Sequence, residues 1–234
     1  MKKYFIPMFM FILLVLSVKS YASIIDFEGV ITRIYEYNSS TGKTTYKDSS
    51  NLFGDVFSLN DVYTGTFTYN HAGTQLGGNE NYAVYNHNTI KGITVNIGNY
   101  IFDSYNDNRE TGYLQIQNNL IMTGQSTDGF SVFDKYYKNG KTESAEFYLF
   151  DRSASVYHGL SIPEMINMND FDTRMFHQSF VDNSGNQLHV FGRTTNFNVR
   201  VVNGATPTPE PNTLLLLGVG LLTSTNIVRR WRKK

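Results

Sequence analysis

The dipeptide Asn139-Gly140 stands between two alternating runs, Phe130 to Lys138 and Lys141 to Phe150. Both central positions of a type I′ turn need positive φ, which Asn and Gly tolerate best, and its twist matches that of paired antiparallel strands. The spacing predicts a tight hairpin in mid-chain. Val62 to Asn70 gives a second strong signal, with Tyr63, Phe67 and Tyr69 alternating against Thr64, Thr66 and Thr68. That period of two is the mark of a strand with one buried face. Ile24 to Tyr37 also reads as a strand, but its phase slips near Gly29, so that Val30 and Ile34 take the apolar face and a bulge is expected there. Ile90 to Ile97 and Tyr100 to Asp103 flank the turn dipeptide Gly98-Asn99.

Further strands are expected at Tyr113 to Met122, Thr173 to Val181, Gln187 to Phe191 and Thr194 to Val202, with a turn at Asn183 to Asn186. Asn38 to Ser50 and His71 to Glu80 read as loops, and Ser161 to Asp170 as a connection with one short helical turn. Nine or ten strands without a long helical period predict an all-β fold, an antiparallel β-sandwich of jelly-roll-like type. The 16 Tyr and 17 Phe, with abundant Thr, Asn and Gly, are the residues such strands and turns use.

Charge and cysteine narrow the function. The formal net charge is zero. Between Lys19 and Arg229, however, lie all the acidic residues and twelve basic ones, a net −8. Such a body is unsuited to nucleic acid, whose phosphates need a basic face. No cysteine occurs, so disulfides, thiolate metal sites and cysteine nucleophiles are excluded.

The two ends are built differently from the body. Lys2 and Lys3 precede an apolar run from Tyr4 to Leu16 and a polar stretch ending Ser20-Tyr21-Ala22. This is the order of a secretory signal, with cleavage expected between Ala22 and Ser23 and, as the rival, after Ser20. Roughly 13 apolar residues at about 1.5 Å each fall short of a hydrocarbon core of about 30 Å, which favours removal over anchoring. At the other end the Pro-rich stretch Thr206 to Pro211 leads into an apolar run, Leu214 to Val228, and then into Arg229, Arg230, Arg232, Lys233 and Lys234. Alternating prolines favour an extended, accessible stalk. The apolar run suits a short lipid-inserted helix, and the basic cluster holds its end on the cytoplasmic side.

The expected organisation is a signal peptide at 1–22, a β-sandwich passenger domain at 23–203, a stalk at 204–212, an apolar transmembrane segment at 213–228 and a basic tail at 229–234. The triplet Pro209, Glu210, Pro211, the run TLLLLGVGLL and the closing RRWRKK together resemble the PEP-CTERM sorting signal. That resemblance implies exosortase as a processing partner, beside signal peptidase. It also implies passage through the inner membrane and a mature form at the outer surface or outside the cell. The stretch Asn51-LFGDVFSLNDVYTGTFTYN and the phrase LSIPEMINMNDFDTRMFHQSF are similar to the two ends of PEP-CTERM passenger domains, most closely over Gly65 to Asn70.

Chemistry is thin in the body. His71, His87, His158, His177 and His189 are scattered, and no nucleophile elbow, P-loop or dinucleotide fingerprint occurs. Asp103, Asp107 and Glu110 group hard oxygen ligands on one polar connection, which suits Ca²⁺ and equally a solvated turn. Asp170 and Asp172 are a weaker carboxylate pair. No other cofactor is expected. Exposed Tyr could stack on sugar rings. The leading expectation is a non-enzymatic surface or matrix protein, structural or adhesive, in contact with extracellular polysaccharide in a biofilm. A secreted carbohydrate-active hydrolase using a carboxylate pair and a Ca²⁺-dependent carbohydrate-binding module are the alternatives.

Overall fold

The computed structural model describes residues 21–86, 89–105, 109–122 and 125–203. Among these residues fourteen strands follow one another. They are β1 (Tyr21–Asn38), β2 (Lys43–Lys47), β3 (Ser49–Ser50), β4 (Phe57–Ser58), β5 (Val62–Asn70), β6 (Gln75–Gly78) and β7 (Tyr82–Tyr85). Then come β8 (Ile90–Ile97), β9 (Tyr100–Asp103), β10 (Arg109–Met122), β11 (Gln125–Lys138), β12 (Lys141–Asp151), β13 (Thr173–Asp182) and β14 (Gln187–Asn203). One 3-10 turn, Met168–Asp170, interrupts the long connection before β13.

Nearly all strands join one antiparallel sheet in the order β6-β7-β10-β11-β12-β13-β14-β1-β5-β8-β9, with β2 on β1 and a separate β3-β4 ribbon. The sheet curls until its two wings face each other. Phe27 of β1 and Phe67 of β5 lie 4.9 and 5.3 Å from Phe147 of β12, and Phe102 of β9 stacks at 4.8 Å on Tyr136 of β11. The compact body spans Tyr21–Asn203. The all-β antiparallel expectation holds, in the form of a single curled sheet.

Local chemistry explains the main elements. Asn139 and Gly140 have φ of 52° and 77°, as a type I′ turn requires, and Lys138 pairs with Lys141 across it. Tyr63, Phe67 and Tyr69 are fully buried, while Thr64, Thr66 and Thr68 face outward. The register with β14 slips between Glu28 and Gly29, but the extra residue is Thr195 on β14, and β1 keeps its alternation there, with Ile25, Phe27, Gly29 and Ile31 all buried, so the phase change expected at Gly29 is absent. The phase of β1 changes instead between Ile31 and Arg33, where Thr32 is the extra residue, so that Ile31, not Val30, is buried and Ile34 follows on the same face. Asn38 to Ser50 is not all loop, because Lys43–Lys47 pairs with β1, and Gln75–Gly78 within the second expected loop pairs with β7. Both segments are wholly exposed, so no burial pattern marked them.

Glycines set the closeness of the layers. The fully buried ring of Tyr63 fills the space where Gly29 and Gly192 lack side chains, and its hydroxyl lies 2.8 Å from Thr194 Oγ1. Phe27 fills the corresponding space over Gly65, its register partner on β5. A Cβ at Gly192 would overlap the Tyr63 ring, and overpacking of this kind costs about 1–3 kcal/mol. Gly192→Ala is therefore expected to lower the urea midpoint at unchanged slope, the shift multiplied by that slope giving about 1–3 kcal/mol. Gly159→Ala, where nothing lies within 4 Å of the added atom, should stay within about 0.5 kcal/mol of the parent.

Candidate functional site

Register places residues distant in sequence side by side, and the outer surface of the sheet divides into two halves of different chemistry. In the first, one row crosses six strands: Tyr113, Phe133, Glu146, His177, Phe191 and Arg33 are successive cross-strand partners. The rings stack on one another. His177 lies 4.3 Å from Phe191 with planes 3° apart, Tyr113 lies 5.0 Å from Phe133, and the Arg33 guanidinium sits 4.2 Å above Phe191. Stacking of this kind stabilises a sheet through cross-strand pairs. It also occupies the ring faces a sugar would use, so this half offers mostly ring edges.

Two of the scattered histidines meet here. His177 Nε2 lies 2.9 Å from His189 Nδ1, and His189 Nε2 lies 2.8 Å from Gln187 Oε1. Burial, then the neighbouring His177, lowers the His189 pKa to about 4. On the far side His177 faces Glu146 at 3.9 Å. Burial, then the Glu146 charge, pushes the Tyr113 and Tyr148 phenols upward.

The second half is polar and grooved. One row runs Asn198, Asp26, Thr66, Thr94 across β14, β1, β5 and β8, and the next runs Asn196, Glu28, Thr64, Asn96 across the same strands. These eight side chains line a groove of about 350 Å³ whose floor is the intervening row Phe197, Phe27, Gly65. With strands about 4.8 Å apart and about 3.4 Å per residue, the rows are about 14 Å long and about 7 Å apart. Arg200 grips Asp26 through Nη2 at 2.8 Å and Nε at 3.0 Å, both on Oδ2. Asn196 Oδ1 accepts from the Phe197 amide at 2.8 Å, and Thr94 Oγ1 lies 3.5 Å from Asp103 Oδ1. Among the described residues the side chains of Glu28, Thr64, Thr66, Asn96 and Asn198 have no hydrogen-bond partner and point to solvent.

Other polar groups are internal. Glu143 accepts from Tyr100 at 2.8 Å and Tyr136 at 2.9 Å and pairs with Lys141 at 3.0 Å, all enclosed at one end of the core. Asp128, fully buried, accepts the amides of Asn119 and Tyr157 at 2.9 and 2.7 Å and so ties two connections to the sheet. These carboxylates hold the fold together.

Of the residues singled out in the sequence, Ala22 and Ser23 lie in β1. Ala22 pairs with Val202 and Asn70, and Ser23 Oγ lies 2.9 Å from His71 Nε2. Asp103 ends β9 and accepts the Tyr105 amide at 3.0 Å, as in an Asx turn. Asp107, the Glu110 side chain and His87 lie outside the described residues, as do Pro209, Glu210, Pro211, the apolar segment and the basic tail. Among the described residues no group of three or more His, Asp or Glu could hold a metal ion, and no helix is long and apolar enough to cross a membrane. Asp170 accepts from Asn167 Nδ2 at 2.9 Å, and Asp172 from the Arg152 amide at 3.3 Å and Thr173 Oγ1 at 3.0 Å.

Residues 207–233 match the PEP-CTERM protein-sorting motif. The chain is thus a PEP-CTERM domain-containing protein, an exosortase substrate exported across the membrane to a surface or extracellular location. No curated protein matches it.

The histidine pair has a measurable consequence. His189 stays neutral in the fold down to about pH 4, whereas the unfolded chain takes up that proton near pH 6.5. The unfolded state therefore binds more protons in that window, and stability falls as pH drops through it. Solvent reaches the ring, so the expected slope is a few tenths to about 1 kcal/mol per pH unit. Chemical denaturation at pH 7, 5.5 and 4.5 should show this loss, and His189→Gln should flatten it.

Proposed function

We propose that the body between the two terminal signals acts outside the cell as a non-catalytic structural or adhesive component, making contact with extracellular polysaccharide. The observation that carries this reading is the sorting motif at 207–233, which begins a few residues beyond the last strand. Exosortase sorting carries the chain to a surface or extracellular location. Its acidic, cysteine-free character suits a soluble exposed domain that relies on packing alone.

One observation favours a second reading. Asp26 and Glu28 stand two residues apart on the same face of β1, about 7 Å along the strand, and both line the groove. Inverting glycosidases hold two carboxyls at such a separation. That chemistry needs a general acid kept protonated by an apolar enclosure. Here the Asp26 side chain is 40 % exposed and bound to Arg200, and Glu28 is exposed. The adhesive reading is the better supported of the two.

The sorting signal and the adhesive role are tested together in the producing bacterium. Removal of residues 207–234 is expected to shift the protein from the surface and matrix fractions to the periplasm, with the body still resistant to limited proteolysis. Deleting the whole gene should weaken cohesion of the extracellular matrix. Normal cohesion in the deletion strain overturns the adhesive role, and an intact Lys234 on the surface protein, read by mass spectrometry, overturns processing at the motif.

A further inference from the structure

We infer that the groove across β14, β1, β5 and β8 is a binding site for a neutral, linear polysaccharide chain. The inference rests on the adhesive reading above and names its ligand and its residues.

The residue types in the groove are unusual for a sheet. Asn and Asp are depleted in strands. Yet Asn196, Asn198, Asp26 and Asn96 occupy strand positions that meet in this one patch. The other half of the same outer surface, on β10 to β14, carries Tyr, Phe and His. A local departure from strand chemistry without a packing reason points to a functional site. None of the outward-facing groove residues contributes to the core.

The groove is complementary to a chain of hydroxyls. Amides both donate and accept, hydroxyls do the same, and the Glu28 carboxylate accepts. A ligand matching two such rows must itself present donors and acceptors on both edges along its length. A sugar chain lying across the strands does so through its hydroxyls, and rows about 7 Å apart and about 14 Å long flank a chain and not a compact molecule. The floor between them is low because that row turns inward: Phe27 is buried, Phe197 stacks on Phe147, and a Cβ at Gly65 would point at the Phe27 ring.

Charge and polarity exclude other ligands. Asp26 and Glu28 line the groove, and Asp103 continues the first row beyond Thr94. The cation at its edge, Arg200, is already paired with Asp26. Uronate-rich or phosphorylated chains would meet like charge. A protein partner would need an apolar centre to its footprint, and the two rows supply none.

The test uses the full chain purified in detergent micelles and affinity electrophoresis in gels containing dextran, xylan or galactomannan, with alginate as the polyanion. Retardation is expected in at least one neutral gel and not in alginate. Asn198→Ala combined with Thr66→Ala removes one hydrogen-bonding group from β14 and one from β5. At about one hydrogen bond each, it should weaken the retardation constant by about tenfold. Because both residues face solvent, thermal melting should be unchanged, and Glu28→Gln provides a second variant that keeps the shape of the groove. Retardation that is equal in parent and both variants overturns the groove while leaving the adhesive role standing. No retardation in any neutral gel, or stronger retardation in alginate, overturns the proposed ligand class. New reducing ends that disappear in Glu28→Gln would replace holding with cleavage and overturn the proposal in favour of the hydrolase.

Discussion

Aromatic rings seated where glycines leave room are the contacts on which the rest of this sheet depends. Tyr63 rests against Gly29 and Gly192, and Phe27 covers Gly65. The first ring spans β5, β1 and β14, and the second ties β1 to β5 on the inner face. From there the rings reach the opposite wing, Phe27 through Phe147 and Tyr63 through Phe176. A chain without disulfides must hold two layers at a fixed distance by packing, and interiors at crystal-like density tolerate little change in volume. The slip at Gly29 belongs to the same arrangement: the extra residue, Thr195, is on β14, while β1 stays in register with β5 and keeps Gly29 opposite Tyr63.

Elements whose chemistry is local were legible before the structure. Asn139-Gly140 specifies its turn by backbone preference alone, and Val62 to Asn70 states its buried face by alternation. The phase change of β1 lies at Thr32 and not at Gly29, and the sequence conceals it because no glycine of β1 marks that position. β2 and β6 escaped notice because their stabilisation is backbone pairing at an exposed edge, which imposes no hydrophobic pattern. The groove was hidden for another reason. Asp26 and Asn198 are neighbours only through register, and no spacing along the chain encodes that. A faint signal existed in Asn196 and Asn198, which break the β-branched and aromatic run of the last strand. The sorting signal, by contrast, is a linear message and could be read directly from residues 207–233.

The two halves of the outer surface use one geometry to opposite ends. In both, cross-strand partners line up in rows perpendicular to the strands. Where those partners are rings, the row closes on itself by stacking, and the side chains satisfy one another. Where they are amides, hydroxyls and carboxylates on short stems, Asp26 is held by Arg200 and Thr94 by Asp103, while the side chains of Glu28, Thr64, Thr66, Asn96 and Asn198 stay open to the solvent. The histidine pair marks the boundary of what stacking tolerates, since His189 is held neutral by the same burial that makes the ladder compact.

Tyr21 and Asn203 are register partners, so both ends of the body leave from the same end of the β1-β14 ladder, which runs unbroken in pairing to Tyr37 and Gln187 apart from its two slips. A tether drawn from Asn203 would load β14 along its own axis, in shear. Many backbone hydrogen bonds then share the tension at once, whereas peeling a strand sideways breaks them one at a time. Asn196 and Asn198 lie within a few residues of that tether. Force between an attached C-terminus and anything held in the groove would thus pass through a short stretch of β14 and its partner β1. Most of the body, including the long connection between β12 and β13, would carry no load.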